Sequence, residues 1–310
     1  MAERFRRDRL TIYCYITLLS YVWALYSVGP ALLLIRDEHD YSRTVGSLHS
    51  VSMSLGIVAL GLIGERITNR FGRARAIEVG SVLVGGGVLL LTFGPNPFIS
   101  IPGGFCIGFG GSMLTNPMNA FLTLHHREHG PSAIAESNAG AAFAGLVAPL
   151  LMGGLVALEV NWRFALITGI TLFAIGRLFR GPGDALNISA PPHEHHHARL
   201  PARYWWAWLA LALCIGAEFC FMMWAGDLVR DRAHVSSAVA TAALSAVAIG
   251  MTLSRAAASP LLRRFSMQRL FSLAIALSLL MWFPMWFTHS AVVMLASMFV
   301  IGLGIGVHFP

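Results

Sequence analysis

Phe105-Cys106-Ile107-Gly108-Phe109-Gly110 is matched 194 residues later by Phe299-Val300-Ile301-Gly302-Leu303-Gly304. The same offset aligns Arg70-Phe71-Gly72 with Arg264-Phe265-Ser266, and Arg75 with Arg269. Two agreements at one offset indicate an internal duplication. In a membrane protein, a parallel repeat of this length predicts two similar helical bundles.

The composition places the chain in a lipid bilayer. Hydrophobic residues make up 56% of the 310 residues, charged residues only 12%, and the mean hydropathy is +0.65, so too few polar residues remain to cover a soluble domain. The apolar runs are continuous and about twenty residues long, which favours membrane helices over barrel strands. We therefore predict an all-α membrane protein. Its ten expected spans are 11–35, 45–64, 76–96, 98–122, 133–157, 162–180, 204–227, 236–256, 268–287 and 290–310.

The arginines predict the orientation of these spans. If the N-terminus is cytoplasmic, most arginines fall on the cytoplasmic side, among them Arg255 at the end of the eighth span. Those expected outside are Arg36, Arg43, Arg163, Arg230 and Arg232. This asymmetry follows the positive-inside rule. The net charge of +7 is thereby explained by topology, and no nucleic-acid partner is predicted.

The spans divide into two domains. Residues 1–180 form a six-helix bundle, residues 181–203 a proline-containing cytoplasmic linker, and residues 204–310 a second bundle with four helices. The repeat offset aligns Pro310 with position 116 in the fourth span, so we expect the tenth helix to be cut and the second bundle to be incomplete. A true ten-span protein is the alternative. The linker tract His193–His197 favours a solvated loop over a transition-metal site, and no metal or cofactor is predicted.

A short basic turn, residues 64–75, is expected after the second span. Arg70, Gly72 and Arg73 resemble the signature loop of the major facilitator superfamily, while Asn69 stands where the family has Asp and Glu65 where it has its first Gly. The resemblance implies a loop that latches two bundles together in the outward-facing state. The expected latch comprises Glu65, Asn69, Arg70, Gly72, Arg73 and Glu136, the last either as a cap of the fifth span or as a partner of the basic loop.

Two further stretches add to the resemblance. Trp162-Arg163 opens the sixth span as a Trp-Arg pair does in the family. In the fifth span Gly145, Pro149 and Gly153 recur every four residues on one helix face, with Gly154 adjacent. Such a face permits close helix packing. It loosely resembles the family's fifth-helix antiporter motif and so favours export.

Glu218 is the most consequential single residue. It lies 14 residues after Tyr204, about 21 Å along a helix and so near the middle of a bilayer. A carboxylate at that depth is costly unless it has a functional role or a partner. We expect it to couple protons or contact substrate; a structural hydrogen bond is the alternative. Weaker candidates for the wall of a substrate cavity are Tyr26, Asn116, Asn119, Phe221 and Trp224.

The resemblance implies a bacterial transporter of the major facilitator superfamily, in the inner membrane, moving a small organic solute by alternating access and coupled to protons. Export is favoured; uptake of a sugar or metabolite by proton symport and a non-transporting sensor or assembly subunit are the alternatives. A membrane-embedded enzyme would need a polar cluster at one depth, and the sequence has none. The expected partners are the lipid bilayer, the solute and protons.

Overall fold

A computed structural model describes residues 6–181, 185–188, 201–262 and 264–308. This part of the chain is helical and contains no strand, which confirms the all-α prediction. The helices are α1 (Arg9–His39), α2 (Arg43–Phe71), α3 (Arg73–Phe93), α4 (Pro97–His126), α5 (Gly130–Ala157), α6 (Arg163–Arg177), α7 (Ala202–Ala233), α8 (Ser237–Ala242), α9 (Leu244–Leu262), α10 (Met267–Phe287) and α11 (Ala291–His308), with a 3₁₀ turn at Arg127–His129. The tract His193–His197 lies outside the described residues.

The helices follow the predicted spans, and α8 and α9 together form the eighth. Seven helical stretches of the described chain are long and apolar enough to cross a membrane, and one of them, Pro97–Ala157, has 61 residues. A straight helix of that length would measure about 90 Å, roughly three bilayer cores. The turn at Arg127–His129 divides it into α4 and α5, so the chain is a multi-pass membrane protein.

The connection between α2 and α3 is shorter than predicted. We expected a basic turn over residues 64–75, but α2 continues to Phe71 and α3 starts at Arg73. Gly72 alone separates the two helices, with φ at 81°. Glycine adopts this conformation without steric cost, so one residue is enough to end α2. Glu65 and Asn69 are therefore exposed helical residues and not loop residues.

The helix ends lie on two sides of the molecule. Asn187 of the linker lies beside Gly72, and we call this the linker side. The α1–α2 connection at residues 40–42 lies on the opposite side, which we call the distal side. The arginine pattern predicts that the linker side is cytoplasmic.

The duplicated sequence builds the same helix crossing twice. A Cβ atom on Gly56 of α2 would lie 2.7 Å from the backbone nitrogen of Phe109 in α4. In the second half, a Cβ atom on Gly250 of α9 would lie 2.7 Å from the backbone nitrogen of Leu303 in α11. Both pairs are related by the offset of 194 residues. Glycine is needed in both places because the helix backbones touch there.

The reverse side of each crossing shows the same relation. Gly108 of α4 packs against the backbone oxygen of Met53, and Gly302 of α11 packs against the backbone oxygen of Val247. These contacts also correspond across the repeat. The glycines of the repeated motif therefore exist for close helix packing, and each half is built on an equivalent pair of helices.

Glycines also hold α3 against α4 without space for a side chain. A Cβ atom on Gly87 would lie 2.7 Å from the carbonyl oxygen of Gly103, and one on Gly103 would lie 2.6 Å from that of Gly87. The neighbouring Gly86, by contrast, has nothing within 4 Å of its Cβ position. Two adjacent glycines thus differ fully in their surroundings.

We predict that Gly87→Val lowers the thermal unfolding temperature of the detergent-solubilised protein, whereas Gly86→Val leaves it nearly unchanged. The new side chain at position 87 would force α3 and α4 apart, and overpacking of this kind costs about 1–3 kcal/mol. Equal unfolding temperatures for the two variants would contradict the packing described here.

Candidate functional site

Glu218 lies at the middle of α7, about 24 Å from the first residue of this helix. Its charge interacts with Arg255 of α9, and Tyr26 of α1 is close enough to interact with both. Glu218 makes no hydrogen bond or ion pair with the described residues. The alternative expected from the sequence, a structural hydrogen bond, is therefore not seen in this conformation.

Tyr26 connects this group to the helices around it. Its hydroxyl donates to Sδ of Met251 in α9, at 3.7 Å. Its ring packs on Gly145 of α5, where a Cβ atom would lie 3.0 Å from the Tyr26 Cε1 atom. Tyr26, Glu218 and Arg255 thus lie where α1 and α5 of the first half meet α7 and α9 of the second.

Arg255 lies within α9, which continues seven residues beyond it to Leu262. Its place among the cytoplasmic arginines stays a prediction from the sequence. The Nε atom of Arg255 is buried and has no hydrogen-bond partner. The signal that could have identified it is a single arginine preceded by the apolar run of residues 242–251.

A cavity of about 790 Å³ adjoins Glu218 between α7, α10 and α11. Phe221 and Trp224 border it, as predicted for a cavity wall. Asn116 and Asn119 of α4 are not among the residues that line this cavity. Phe221 and Trp224 therefore share this cavity with Glu218, whereas Tyr26, Asn116 and Asn119 are not among its lining residues.

A buried ion pair joins the two halves on the distal side. The Nη1 atom of Arg36 in α1 donates to Oδ1 of Asp227 in α7 at 2.7 Å, and the two side chains are only 9% and 8% exposed. The Arg36 guanidinium also lies over the Trp224 ring, 5.7 Å from its centroid. Removal of one partner from a buried pair leaves an uncompensated charge, so each residue requires the other while the distal side is closed.

Two more ion pairs surround the buried one. Arg230 of α7 donates to Asp37 of α1 at 2.5 Å, and Arg43 at the start of α2 pairs with Asp231 of α7. The arginine pattern of the sequence predicts that Arg36, Arg43 and Arg230 lie on one side, but it does not identify their carboxylate partners. The available signal was the matching set of opposite charges at the ends of α1 and α7.

The fifth helix completes the contact between the halves. A Cβ atom on Gly153 would lie 2.7 Å from the carbonyl oxygen of Ala238 in α8, and Ser245 of α9 donates to the Leu146 carbonyl at 3.0 Å. Pro149 lies buried on this part of α5. Gly154 was expected to share the packing role, but nothing lies within 4 Å of its Cβ position because it is rotated off the contact face.

These contacts close only one side of the interface. All the contacts between halves described above lie between the depth of Tyr26 and the distal end. On the linker side, residues 201–211 at the start of α7 are exposed. The described contacts between the two halves are therefore on the distal side, and the start of α7 on the linker side is exposed.

A family model for the Major Facilitator Superfamily matches residues 14–310. The chain belongs to the major facilitator superfamily. The family consists of membrane transporters, so the resemblance found in the sequence is confirmed and a membrane enzyme is excluded. The fold agrees with known members of this family.

Three solved transporters resemble this superfamily member. Two are structures of a bacterial homologue of the human lysosomal transporter Spinster, one inward-facing and occupied (TM-score 0.70, 13% identity, 98% of this chain and 73% of that one) and one inward-facing and unoccupied (0.65, 14%, 98% and 74%). The third is a D-xylose-proton symporter (0.66, 11%, 96% and 80%). At these identities the likeness concerns the fold.

A curated relative covers a smaller region. Inositol transporter 4 of Arabidopsis thaliana is 30% identical over 96 residues, which is 29% of this chain. The match spans only 16% of that relative's length.

The signature motif of this superfamily member binds the linker. Asn187 Oδ1 accepts a hydrogen bond from the Ala74 backbone nitrogen at 3.1 Å, and the Arg73 guanidinium donates to the carbonyl of Ile188. Gly72 allows this approach, because a Cβ atom there would lie 2.9 Å from Asn187. Arg70 is exposed. The motif thus contacts the linker that joins the two halves.

Glu136 has a partner other than the basic motif in this conformation. It accepts hydrogen bonds from Arg7 Nε at 2.8 Å and from the Tyr15 hydroxyl at 3.1 Å, all within the first half. The hydrogen bond to Glu136 raises the pKa of Arg7. The expected contact between Glu136 and the basic loop is therefore replaced by a contact with the N-terminal segment.

The Trp-Arg pair of the family binds the end of α1. Trp162 Nε1 donates to Glu38 Oε1 at 2.7 Å, and Arg163 donates to both oxygens of the same carboxylate. The Arg163 guanidinium also lies 4.5 Å from the Trp162 ring centroid. This cluster fixes α6 to the distal end of α1, next to the residues that contact α7.

We predict that Asp227→Asn lowers the unfolding temperature of the purified protein and that the double variant Arg36→Gln/Asp227→Asn recovers much of the loss. The single change leaves Arg36 buried without a carboxylate, which costs about 3–5 kcal/mol. Arg43→Gln serves as the control, because its pair is 64% and 40% exposed and should contribute less than about 1 kcal/mol. A single Asp227 variant as stable as the control would contradict this account.

Proposed function

We propose that this chain acts in secondary active transport of a small organic solute, coupled to protons, by alternating access. The observation that carries the proposal is the arrangement of the interface: ion pairs join the halves on the distal side, the start of α7 on the linker side is exposed, and Glu218 lies at the middle of α7. A site at the middle of a membrane that is open to one side is the arrangement that alternating access requires.

The position of Glu218 supports a role in proton coupling. A carboxylate at the middle of a membrane helix is costly and is typical of proton pathways and substrate sites. Glu218 borders a cavity and has no partner within hydrogen-bonding distance in the described chain. It can therefore exchange a proton without first breaking a structural contact.

The arginine pattern supports an assignment of the conformation. If the linker side is cytoplasmic, this structure is inward-facing, as are the two similar Spinster homologue structures by their descriptions. The proposed location is the bacterial inner membrane, with the N-terminus in the cytoplasm and with lipid, solute and protons as partners. The reverse state would form when the distal ion pairs separate and the linker side closes, with the motif around Gly72 in contact with the second half.

The glycines of α5 do not bear on direction. The sequence favours export because of Gly145, Pro149 and Gly153. Packing alone explains the two glycines, however, because the Tyr26 ring lies against Gly145 and α8 lies against Gly153. Among the similar structures, the D-xylose-proton symporter couples its sugar to protons by its description. Its existence supports proton coupling on this fold and leaves direction to experiment.

We predict that Glu218→Gln abolishes solute-dependent proton movement. The complete protein is reconstituted into liposomes with an internal pH indicator, a pH gradient is imposed, and a panel of solutes is added. The wild type should move protons with at least one solute, and Glu159→Gln, a change at an exposed glutamate after α5, should behave as the wild type. Proton movement that persists in Glu218→Gln would remove Glu218 from the proposal. A wild type in which no solute moves protons would favour the sensor or assembly alternative.

A further inference from the structure

Arg255 differs from the other arginines whose Nε atom is buried without a hydrogen bond. Arg36 shares this feature, but its Nη1 atom pairs with Asp227. The Nε atom of Arg180 is buried as well and lies 2.5 Å from Oε1 of Glu78. Arg255 makes no ion pair or hydrogen bond with the described residues. Its five donors are therefore available, and a guanidinium fork fits a carboxylate with two parallel hydrogen bonds.

The Glu218 carboxylate does not accept a hydrogen bond from Arg255. Glu218 interacts electrostatically with Arg255, but the two form neither a hydrogen bond nor an ion pair. Tyr26 interacts electrostatically with both charges. Its hydroxyl donates only to the thioether sulfur of Met251, which is a weak acceptor.

Backbone packing brings these groups together: Gly29 of α1 lies against the backbone oxygen of Met222 in α7, and Tyr26 and Glu218 are each about one turn from this contact. Arg255 lies one turn beyond Met251, the residue that the Tyr26 hydroxyl contacts. A cation, a carboxylate and a hydroxyl thus lie between the two halves with their strong hydrogen bonds unmade.

We infer that the junction of Tyr26, Glu218 and Arg255 binds the carboxylate group of a small organic monoanion, held by Arg255 while Glu218 carries a proton. This inference rests on the proposed transport function and names its substrate class. Arg255 is the anion-binding residue, Glu218 the proton-binding residue, and Tyr26 a hydrogen-bond donor to the bound solute.

Charge balance links the anion to the proton. With Glu218 ionised, the empty site is neutral, because Arg255 and Glu218 compensate each other. An entering carboxylate adds a negative charge at membrane depth, where an uncompensated charge is costly, and a proton on Glu218 restores neutrality. The anion and the proton therefore bind together and cross together, which makes this coupling a symport and replaces the exchange suggested by α5.

Among the described residues of the cavity wall, no other charged group is available for this role. On α7 the titratable neighbours of Glu218 in the wall are Cys214 and Cys220. The other charged groups of the wall are paired, Asp227 with Arg36 and Asp231 with Arg43. The residues that α10 and α11 contribute to this wall are uncharged. From α5, Gly145 faces Tyr26.

The single cation also limits the solute. One guanidinium and one protonated carboxyl balance one negative charge, so a monocarboxylate leaves the site neutral. A phosphate dianion would leave a net negative charge in the same place. The site therefore favours a monocarboxylate over inorganic phosphate or a phosphate ester.

The test measures binding to the complete protein in detergent by isothermal titration calorimetry. The probes are the sodium salts of lactate, pyruvate, nicotinate and benzoate, with lactamide and nicotinamide as neutral matched controls and inorganic phosphate as the dianion control. Titrations in two buffers of different ionisation enthalpy give the number of protons taken up on binding. The variants are Arg255→Gln, Arg255→Lys and Glu218→Gln, with Arg66→Gln, an exposed arginine of α2, as the matched control.

We expect at least one carboxylate to bind the wild type and Arg66→Gln with uptake of about one proton, whereas the amides and phosphate do not bind. Arg255→Gln should weaken binding about tenfold or more, since a charge-assisted contact is lost, and Arg255→Lys should fall between because it keeps the charge but not the fork. Glu218→Gln should still bind, without proton uptake. Arg255→Gln should unfold at nearly the same temperature as the wild type, because no hydrogen bond or ion pair is removed and Glu218 can become neutral by taking up a proton.

Two results would overturn the inference. One is a wild type that binds none of the carboxylates; the other is an Arg255→Gln variant that binds a carboxylate as tightly as the wild type does. Either result leaves proton-coupled transport of a neutral solute intact, since the liposome assay measures that separately. Conversely, carboxylate binding with proton uptake in a protein that moves no solute would support the site and contradict the transport proposal.

Discussion

Compensation of charge inside an apolar interface is the constraint on which this structure depends. On the distal side the constraint is met directly: Arg36 lies 2.7 Å from Asp227, and both are nearly inaccessible. At the middle of α7 the charges of Glu218 and Arg255 compensate each other only electrostatically, because the two side chains form no hydrogen bond. The first arrangement stabilises a closed surface, and the second leaves strong donors and acceptors for a ligand and a proton.

The packing within each half explains why motion would be confined to the interface. Gly56 and Gly108 in the first half, and Gly250 and Gly302 in the second, bring helix backbones into direct contact. Such contacts have no side chains that could rearrange, so we expect each half to move as a body. The interface instead relies on separable ion pairs and on a few small residues of α5, and these can part without unpacking either half.

The sequence predicted the fold well and the site in part. The repeat at 194 residues and the apolar runs were enough for the helices, because hydropathy reports burial in lipid directly. The end of α2 was missed because polar residues resemble a loop when a helix continues beyond the membrane. The pair Arg36 and Asp227 could not be found, since its members lie 191 positions apart and meet only through the relative placement of the two halves. The contact of Arg255 with the charge of Glu218 could not be predicted either, because it depends on how α7 and α9 are placed beside each other.

The most direct test of alternating access in this protein is a pair of distances measured by pulsed electron paramagnetic resonance. Spin labels at Thr44 and Val239 report the distal side, and labels at Arg66 and Ala207 report the linker side; all four positions are exposed. As protons and solute are varied, the account predicts two populations in which the distal distance lengthens while the linker-side distance shortens. One unchanging distance on both sides, or changes in the same sense on both, would contradict it.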